Sequence, residues 1–391
     1  MKLENYFAPL SPEAIPYEKN DYLPSLGQRI NAYWQNGTYP DLSQVSLALL
    51  GVCDERGSDS NNDGACAPDA IRSHLYGLAL PNQNFQCADL GNLVLGHSLD
   101  DTCFALTEIV SELLEKNITV VILGGSQSLA MANYKAYESL GRIINVASID
   151  ARFDIEEQAT LNARSWIYHI VLQQPNYLFN FANLAHQSYL CGERMLSLME
   201  QLQFDVIRLG DLQGNGITAA EPLLRWSDMV SVDLCSVRWS DAPAARGVSP
   251  HGLYGEQLCQ LMRFAGMSDK VSSIGFYELD AARDTDGHTA SLAAQAIWHF
   301  LEGFFARMGD SPYYDKANYR RFLVPLNGCM QEIVFYKSKK SDRWWMQVPS
   351  EEENSTRYKR HLLIPCTYDD YQQALKNELP ARWWRVYQRV N

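Results

Sequence analysis

Nowhere does this chain approach the roughly 18 consecutive apolar residues that a membrane-crossing helix requires, so no membrane span is expected. Its first residues, Met1-Lys2-Leu3-Glu4-Asn5-Tyr6, have no apolar signal core. Positive charge is in deficit: Lys and Arg number 33 against 46 Asp and Glu, a net charge of −13. That balance disfavours nucleic acid, because phosphate binding needs a basic surface, and suits small-molecule or protein partners. The nine cysteines contain no C-x-x-C pair and are scattered among mostly apolar neighbours. They predict reduced thiols in a cytoplasmic protein rather than a disulfide framework. No internal repeat and no low-complexity tract occurs.

What is present is a core. Apolar residues make up 46% of 391, enough for one large α/β domain with an appendage, or for two domains. Residues 1–44 are turn-rich, with Pro9, Pro12, Pro16, Pro24 and Pro40, and read as a lead-in with one helix near 24–35. From residue 45 short apolar runs (45–52, 85–90, 120–123, 143–149, 204–209, 229–232 and 271–277) alternate with amphipathic stretches (67–77, 99–115, 126–139, 186–201, 218–225, 255–265 and 287–307). Strand–helix alternation predicts a mostly parallel sheet covered on both faces. The pattern stops near residue 308. Ser311-Pro312-Tyr313-Tyr314-Asp315 reads as a break, and Gln331–Tyr336 with Arg343–Val348 as a hairpin. After the polar loop Glu351-Glu352-Glu353-Asn354, a last helix is predicted over 368–378. Residues 309–391, with Trp344, Trp345, Trp383 and Trp384, thus form an aromatic-rich extension, a second packed core or an interface for a protein partner.

In open parallel sheets function gathers where strands end. Four such loops stand out: Gly124-Gly125-Ser126-Gln127-Ser128, Asp150-Ala151-Arg152-Phe153-Asp154, Ser231-Val232-Asp233-Leu234-Cys235, and Gly275-Phe276-Tyr277-Glu278 with the later Thr289-Ala290-Ser291-Leu292-Ala293-Ala294. Two earlier segments, Gly64-Ala65-Cys66-Ala67-Pro68-Asp69-Ala70-Ile71-Arg72 and Asp89-Leu90-Gly91-Asn92, fall in step with them. In order and spacing the six resemble the arginase/agmatinase/formiminoglutamase (ureohydrolase) family, over residues 45–308. The stretch His169–Tyr189 is most similar to the formiminoglutamase-like branch.

The resemblance implies a three-layer αβα sandwich on an eight-stranded, mostly parallel sheet, with residues 309–391 as a small α+β extension. It also implies a binuclear Mn²⁺ centre held by two histidines and four aspartates, and self-association. Carried over by position, Asp150, Asp154 and Asp233 match ligands. Gln127 and Arg152 stand where the histidines should be, and Cys235 where the last aspartate should be. One ion would be left Gln127, Asp150, Asp154 and Asp233, a tolerable site for a single Mn²⁺, Mg²⁺ or Ca²⁺. The other would face Arg152, which has no lone pair to give. A binuclear pair is therefore not expected.

If Asp150, Arg152 and Asp154 continue the strand, alternation puts them on one face. Arg152 is then predicted to fold over Asp150, Asp154 and Asp233 and supply the missing positive charge. That reading favours a non-catalytic binding or scaffold protein. The alternative is a hydrolase of linear amidine or guanidine C–N bonds with an altered or mononuclear site. A third reading keeps the cleft as a sensor for a small cationic amino-acid-type ligand, with Glu278 as a substrate carboxylate or an ordinary strand-end residue. His74 and His299 read as surface or packed residues, His251 as part of a loop that could reach the site with nothing to pair it, and Cys235 as a buried, inert thiol or a soft-metal ligand.

Overall fold

An uninterrupted apolar run is stable as a strand only when both faces of the sheet are covered. A computed structural model, which describes residues 2–17, 23–58, 66–312, 317–325, 332–351 and 356–391, meets that demand. Its main sheet contains β1 (Phe7–Ala8), β2 (Asn31–Ala32), β3 (Leu47–Gly51), β4 (Cys87–Leu93), β5 (Thr119–Leu123), β6 (Ile144–Ile149), β7 (Leu178–His186), β8 (Asp205–Arg208), β9 (Met229–Asp233) and β10 (Ser273–Tyr277). Eight of these are parallel, in the order β4-β3-β5-β10-β9-β6-β7-β8. The lead-in adds the other two: β1 pairs antiparallel and β2 parallel with β4.

The helices are α1 (Leu26–Arg29), α2 (Ala67–Leu75), α3 (Leu99–Glu115), α4 (Ala130–Ser139), α5 (Trp166–Leu172), α6 (Ser188–Gln201), α7 (Glu221–Trp226), α8 (Gly255–Gly266) and α9 (His288–Phe305). Alternate residues of one strand feed opposite layers. Leu47, Leu49, Val121 and Leu123 pack with Ile71, Leu258, Ile297 and Phe300 of α2, α8 and α9. Ala48, Leu50, Val120 and Ile122 pack with Leu106, Val110, Tyr134 and Ile170 of α3, α4 and α5. Each large apolar side chain so buried contributes about 2 kcal/mol.

Two of the motif segments hold each other. Arg72 of α2, fully buried, forms a two-pronged pair with Asp89 of β4 (Nε–Oδ2 2.8 Å, Nη2–Oδ1 2.9 Å). It also donates to Asn92 Oδ1 at 2.6 Å, and Tyr76 donates its hydroxyl to Asp89 at 2.9 Å.

Beyond the main sheet, β11 (Tyr319–Pro325), β12 (Glu332–Ser338), β13 (Trp344–Gln347) and β14 (Leu363–Cys366) form an antiparallel sheet in chain order, followed by α10 (Tyr368–Leu375) and α11 (Ala381–Val390). Its core joins Phe335, Met346 and Trp383 to Phe179 and Trp226 of the main domain. Among the described residues no helix is long and apolar enough to cross a membrane.

The structure corrects several expectations. The helix placed at 24–35 is one turn, α1, because the chain then extends as β2 to pair with β4. The strand β7 and the helices α5 and α11 were not foreseen. Cys53 and Cys66, expected to be thiols, form a disulfide with Cα atoms 5.2 Å apart, inside the usual range. Cys87, Cys103, Cys191, Cys235, Cys259 and Cys366 are free and buried. Gly64, Ala65, Tyr313–Asp315, Gln331 and Glu352–Asn354 of the segments singled out above lie outside the described residues.

Candidate functional site

The carboxyl ends of β5, β6, β9 and β10 deliver the four motif loops to one cleft, a cavity of about 110 Å³ walled by Arg152, Asp154, Asp233, Cys235, Arg246 and Glu278. The loop after β5 passes so close to the chain at Asp54 that a Cβ on Gly125 would strike the Asp54 backbone. That contact requires glycine and sets Gln127 at the cleft floor. Gln127 is fully buried. Its Nε2 donates to Asp150 Oδ2 at 3.1 Å and to Ser231 Oγ at 3.2 Å, and its Oε1 has no partner.

Asp150, Asp154 and Asp233 do meet, but not on a continued strand face. β6 stops at Ile149, and Asp150 closes a turn by accepting the Arg152 backbone N–H at 2.8 Å. Asp154 takes a left-handed backbone (φ 50°), with its Oδ2 held by Trp166 Nε1 at 3.1 Å. Asp233 ends β9 and accepts the Cys235 N–H at 2.7 Å. Cys235 Sγ lies 3.6 Å from Asp150 Oδ1.

The turn also redirects Arg152. Its guanidinium donates to the Leu190 carbonyl at 3.4 Å, and among the described residues it forms no ion pair with Asp150, Asp154 or Asp233. The predicted internal salt bridge is therefore wrong. Alternation applies only while the chain stays extended, and here it does not. Arg152 forms part of the cleft wall instead.

Without that guanidinium the three acids hold protons more tightly than ordinary carboxyl groups. Burial, then the neighbouring Asp150 charge, pushes Asp154 and Asp233 well above the carboxylate range. Burial also raises Asp150, against the pull of its hydrogen bonds. The Cys235 thiol is pushed far up, by burial first and by Asp233 next.

The donor set differs from the two sets expected for the family's ions. Asp150, Asp233 and Cys235 offer one ligand atom each, all within 4.8 Å of one another. Asp154 is not among those three; its carboxyl is hydrogen-bonded to the Asp150 carboxyl and to Trp166 Nε1. Two hard oxygens and one soft sulfur fit a single borderline divalent cation such as Zn²⁺, with the unpartnered Gln127 Oε1 alongside. They do not fit the family's manganese pair: among the described residues no imidazole joins the ligand group, and Arg152 cannot ligate.

Glu278 has a left-handed backbone (φ 67°) and holds the cleft loops together. It accepts the Ser58 hydroxyl at 2.9 and 3.0 Å and the Gln127 N–H at 2.7 Å. Its own N–H donates to the Gly125 carbonyl at 2.8 Å. The disulfide lies at the base of the loop that carries Ser58. Trp166, Ser58 and Arg246 were missed by sequence reasoning, since each lies outside the motif loops. Arg246 pairs with Glu55 at 2.6 Å, and Arg164 and Arg283 complete the basic wall. His251 packs against Tyr189, with ring centroids 6.3 Å apart.

Comparison with known proteins gives a consistent picture. The family model described as "Arginase family" matches residues 45–302. The formimidoylglutamase of Staphylococcus aureus (strain MRSA252) is 25% identical over 300 residues, spanning 69% of this chain and 92% of that protein. Among solved structures, formimidoylglutamase from Bacillus subtilis superposes with a TM-score of 0.64 at 18% identity, over 74% of this chain and 94% of that one. Trypanosoma cruzi formiminoglutamase, solved with Mn²⁺, gives 0.61 at 17% identity, over 68% and 96%.

Proposed function

Because this chain belongs to the arginase family, we propose that it hydrolyses the C–N bond of a linear amidine with one divalent cation in place of a manganese pair. The observation that carries the reading is the Asp150–Asp233–Cys235 group, whose ligand atoms converge within 4.8 Å, while Arg152, on the cleft wall, donates to the Leu190 carbonyl and not to these carboxyl groups. A bound cation supplies Lewis acidity and a water of lowered pKa. The chain supplies the rest. Asp154, buried and outside the ligand group, keeps a proton to give to the departing nitrogen. Gln127 and Ser231 orient Asp150.

Substrate choice follows from the wall. Arg152, Arg164, Arg246 and Arg283 lie around an acidic floor, so an amidinium facing the aspartates and an acid end facing the arginines suit the cleft. A formimino amino acid meets both demands; agmatine, with no acid group, meets one. Glu278 positions the loops at the amidine end. A cytoplasmic setting and self-association through the C-terminal extension belong to the same proposal.

A second reading, binding without turnover, has its own support: Gln127 and Arg152 occupy both histidine positions, and Glu278 is already engaged by Ser58. One experiment separates them. The purified chain is loaded with Zn²⁺, Mn²⁺ or Co²⁺, its metal content is measured, and release of ammonia, formamide or urea is followed with formiminoglutamate, arginine and agmatine. One ion per chain with turnover of formiminoglutamate supports hydrolysis. One ion per chain with no product from any substrate leaves the binding reading.

A further inference from the structure

The four strands that point into the cleft carry a second charge cluster at their amino ends, about 17 Å away for a five-residue strand. A cavity of about 200 Å³ opens there, lined by Arg142, Arg225, Lys270, Arg343, Arg360 and the Trp345 ring. Arg142 precedes β6, Arg225 lies on α7 and Lys270 precedes β10, whereas Arg343, Trp345 and Arg360 belong to the extension. Neither part of the chain forms this cavity alone, and the family match ends at residue 302.

Five cations around so small a space repel unless they are matched. Four acids stand against the five cations: Glu221 and Asp228 each serve two of them, and Asp310 lies 3.8 Å from Arg343 while Asp269 is held by backbone. Arg225 Nε lies 3.0 Å from Glu221, which Arg343 shares at 3.4 Å. Arg225 also donates to the Trp344 and Cys366 carbonyls at 3.1 and 3.2 Å, and its guanidinium sits 4.4 Å from the Trp345 ring centroid. Lys270 and Arg360 share Asp228, at 3.1 and 2.8 Å. Asp269, on the same wall, is taken by the Gly309 and Asp310 N–H groups at 3.2 and 2.8 Å. Among the described residues the half-buried Arg142 side chain forms no hydrogen bond or ion pair. Lys270 registers the crowding: burial, with a further push from Arg360, lowers it to about 8 against the pull of Asp228.

We propose that this cavity binds a small polyvalent oxyanion, a phosphoryl or dicarboxylate group, clamped between Arg142 of the arginase-like domain and Arg360 of the extension. Guanidinium forks match both kinds of oxyanion in a two-pronged way. At the liquid volume of about 30 Å³ per water, the space holds about seven waters, enough for one such group with a short carbon chain.

Calorimetric titration of the full chain at fixed ionic strength tests the assignment, with inorganic phosphate in one arm and glutarate in the other. Saturable one-to-one binding is expected, and the tighter arm identifies the anion. Arg142→Ala, which removes no side-chain hydrogen bond or ion pair among the described residues, and Arg360→Ala should each weaken binding at least tenfold while far-UV circular dichroism stays native. Arg152→Ala, in the cleft, should leave it unchanged. No saturable binding of either anion, binding that survives both cavity variants, or binding lost with Arg152→Ala overturns the proposal.

Discussion

Cation binding in the cleft should be steeply pH-dependent, and the steepness counts the protons that the cation displaces. In the metal-free chain burial holds protons on the Asp154–Asp150–Asp233 cluster and on Cys235. A thiol ligates as thiolate and a carboxyl as carboxylate, so binding must release at least one proton from Cys235 and one from the aspartates. Each released proton changes affinity about tenfold per pH unit, or about 1.4 kcal/mol. Zn²⁺ affinity should therefore rise by about 100-fold per unit while both groups start protonated. The sign for stability is opposite without the ion. The folded state holds protons that the unfolded chain has lost, so the metal-free protein weakens as pH rises above the ordinary carboxylate range. The thermal shift produced by Zn²⁺ should accordingly grow with pH. Calorimetry in two buffers of different ionisation enthalpy gives the proton count directly. Cys235→Ser should lower it by about one and leave the carboxylate part. Zn²⁺ affinity that is flat with pH, or a proton count unchanged in Cys235→Ser, refutes the three-ligand site.

Other expectations follow from the same geometry. Combining Gln127→His, Arg152→His and Cys235→Asp should restore binding of two Mn²⁺ per chain, measured by metal analysis, with little turnover, because Glu278 is already engaged by Ser58 and the Gln127 N–H; rapid turnover would contradict this. Arg72→Met leaves Asp89 buried without its partner and should cost about 3–5 kcal/mol in urea unfolding. Lys270 is depressed from 10.5 to about 8, so the unfolded chain binds the extra proton between those values. Stability should rise with pH across that window, and Lys270→Met should flatten the rise.

The fold was legible wherever burial is written as an apolar run. Seven of the eight parallel strands are such runs. β7 was not, because it carries Asn180 and Asn183. Both are buried, and the amide N–H of each finds a partner that only the fold supplies: Asn180 donates to Asp205 at 2.9 Å, and Asn183 to the Arg152 carbonyl at 2.6 Å. The extension's last helix was obscured in the same way, since Trp383 is buried through a contact with the Gln347 carbonyl at 2.8 Å, 36 residues away. Motif order placed the cleft residues together correctly. It could not orient them, because the left-handed turn at Asp154 goes with a bond to Trp166, 12 residues on, and has no local signal.

That turn decides how the site should be understood. Three buried carboxyl groups at strand ends can be neutralised by a metal, by a guanidinium or by protons. Had Arg152 filled the vacancy, its fixed charge would oppose any cation by several kcal/mol at about 4 Å, and the histidine losses would mean lost metal binding. Protons are different because they leave when a cation arrives, at a cost that falls as pH rises. The substitutions at residues 127, 152 and 235 thus leave no imidazole at either histidine position, while the position of the Arg152 guanidinium keeps a single-ion site open. Whether the chain hydrolyses or only binds its ligand then turns on Asp154. Hydrogen-bonded to Trp166 and not among the three ligands, it is the acid that can still give up a proton once Asp150, Asp233 and Cys235 are committed. Asp154→Asn should therefore abolish turnover while leaving the metal content unchanged, a separation that a site built only for binding would not produce.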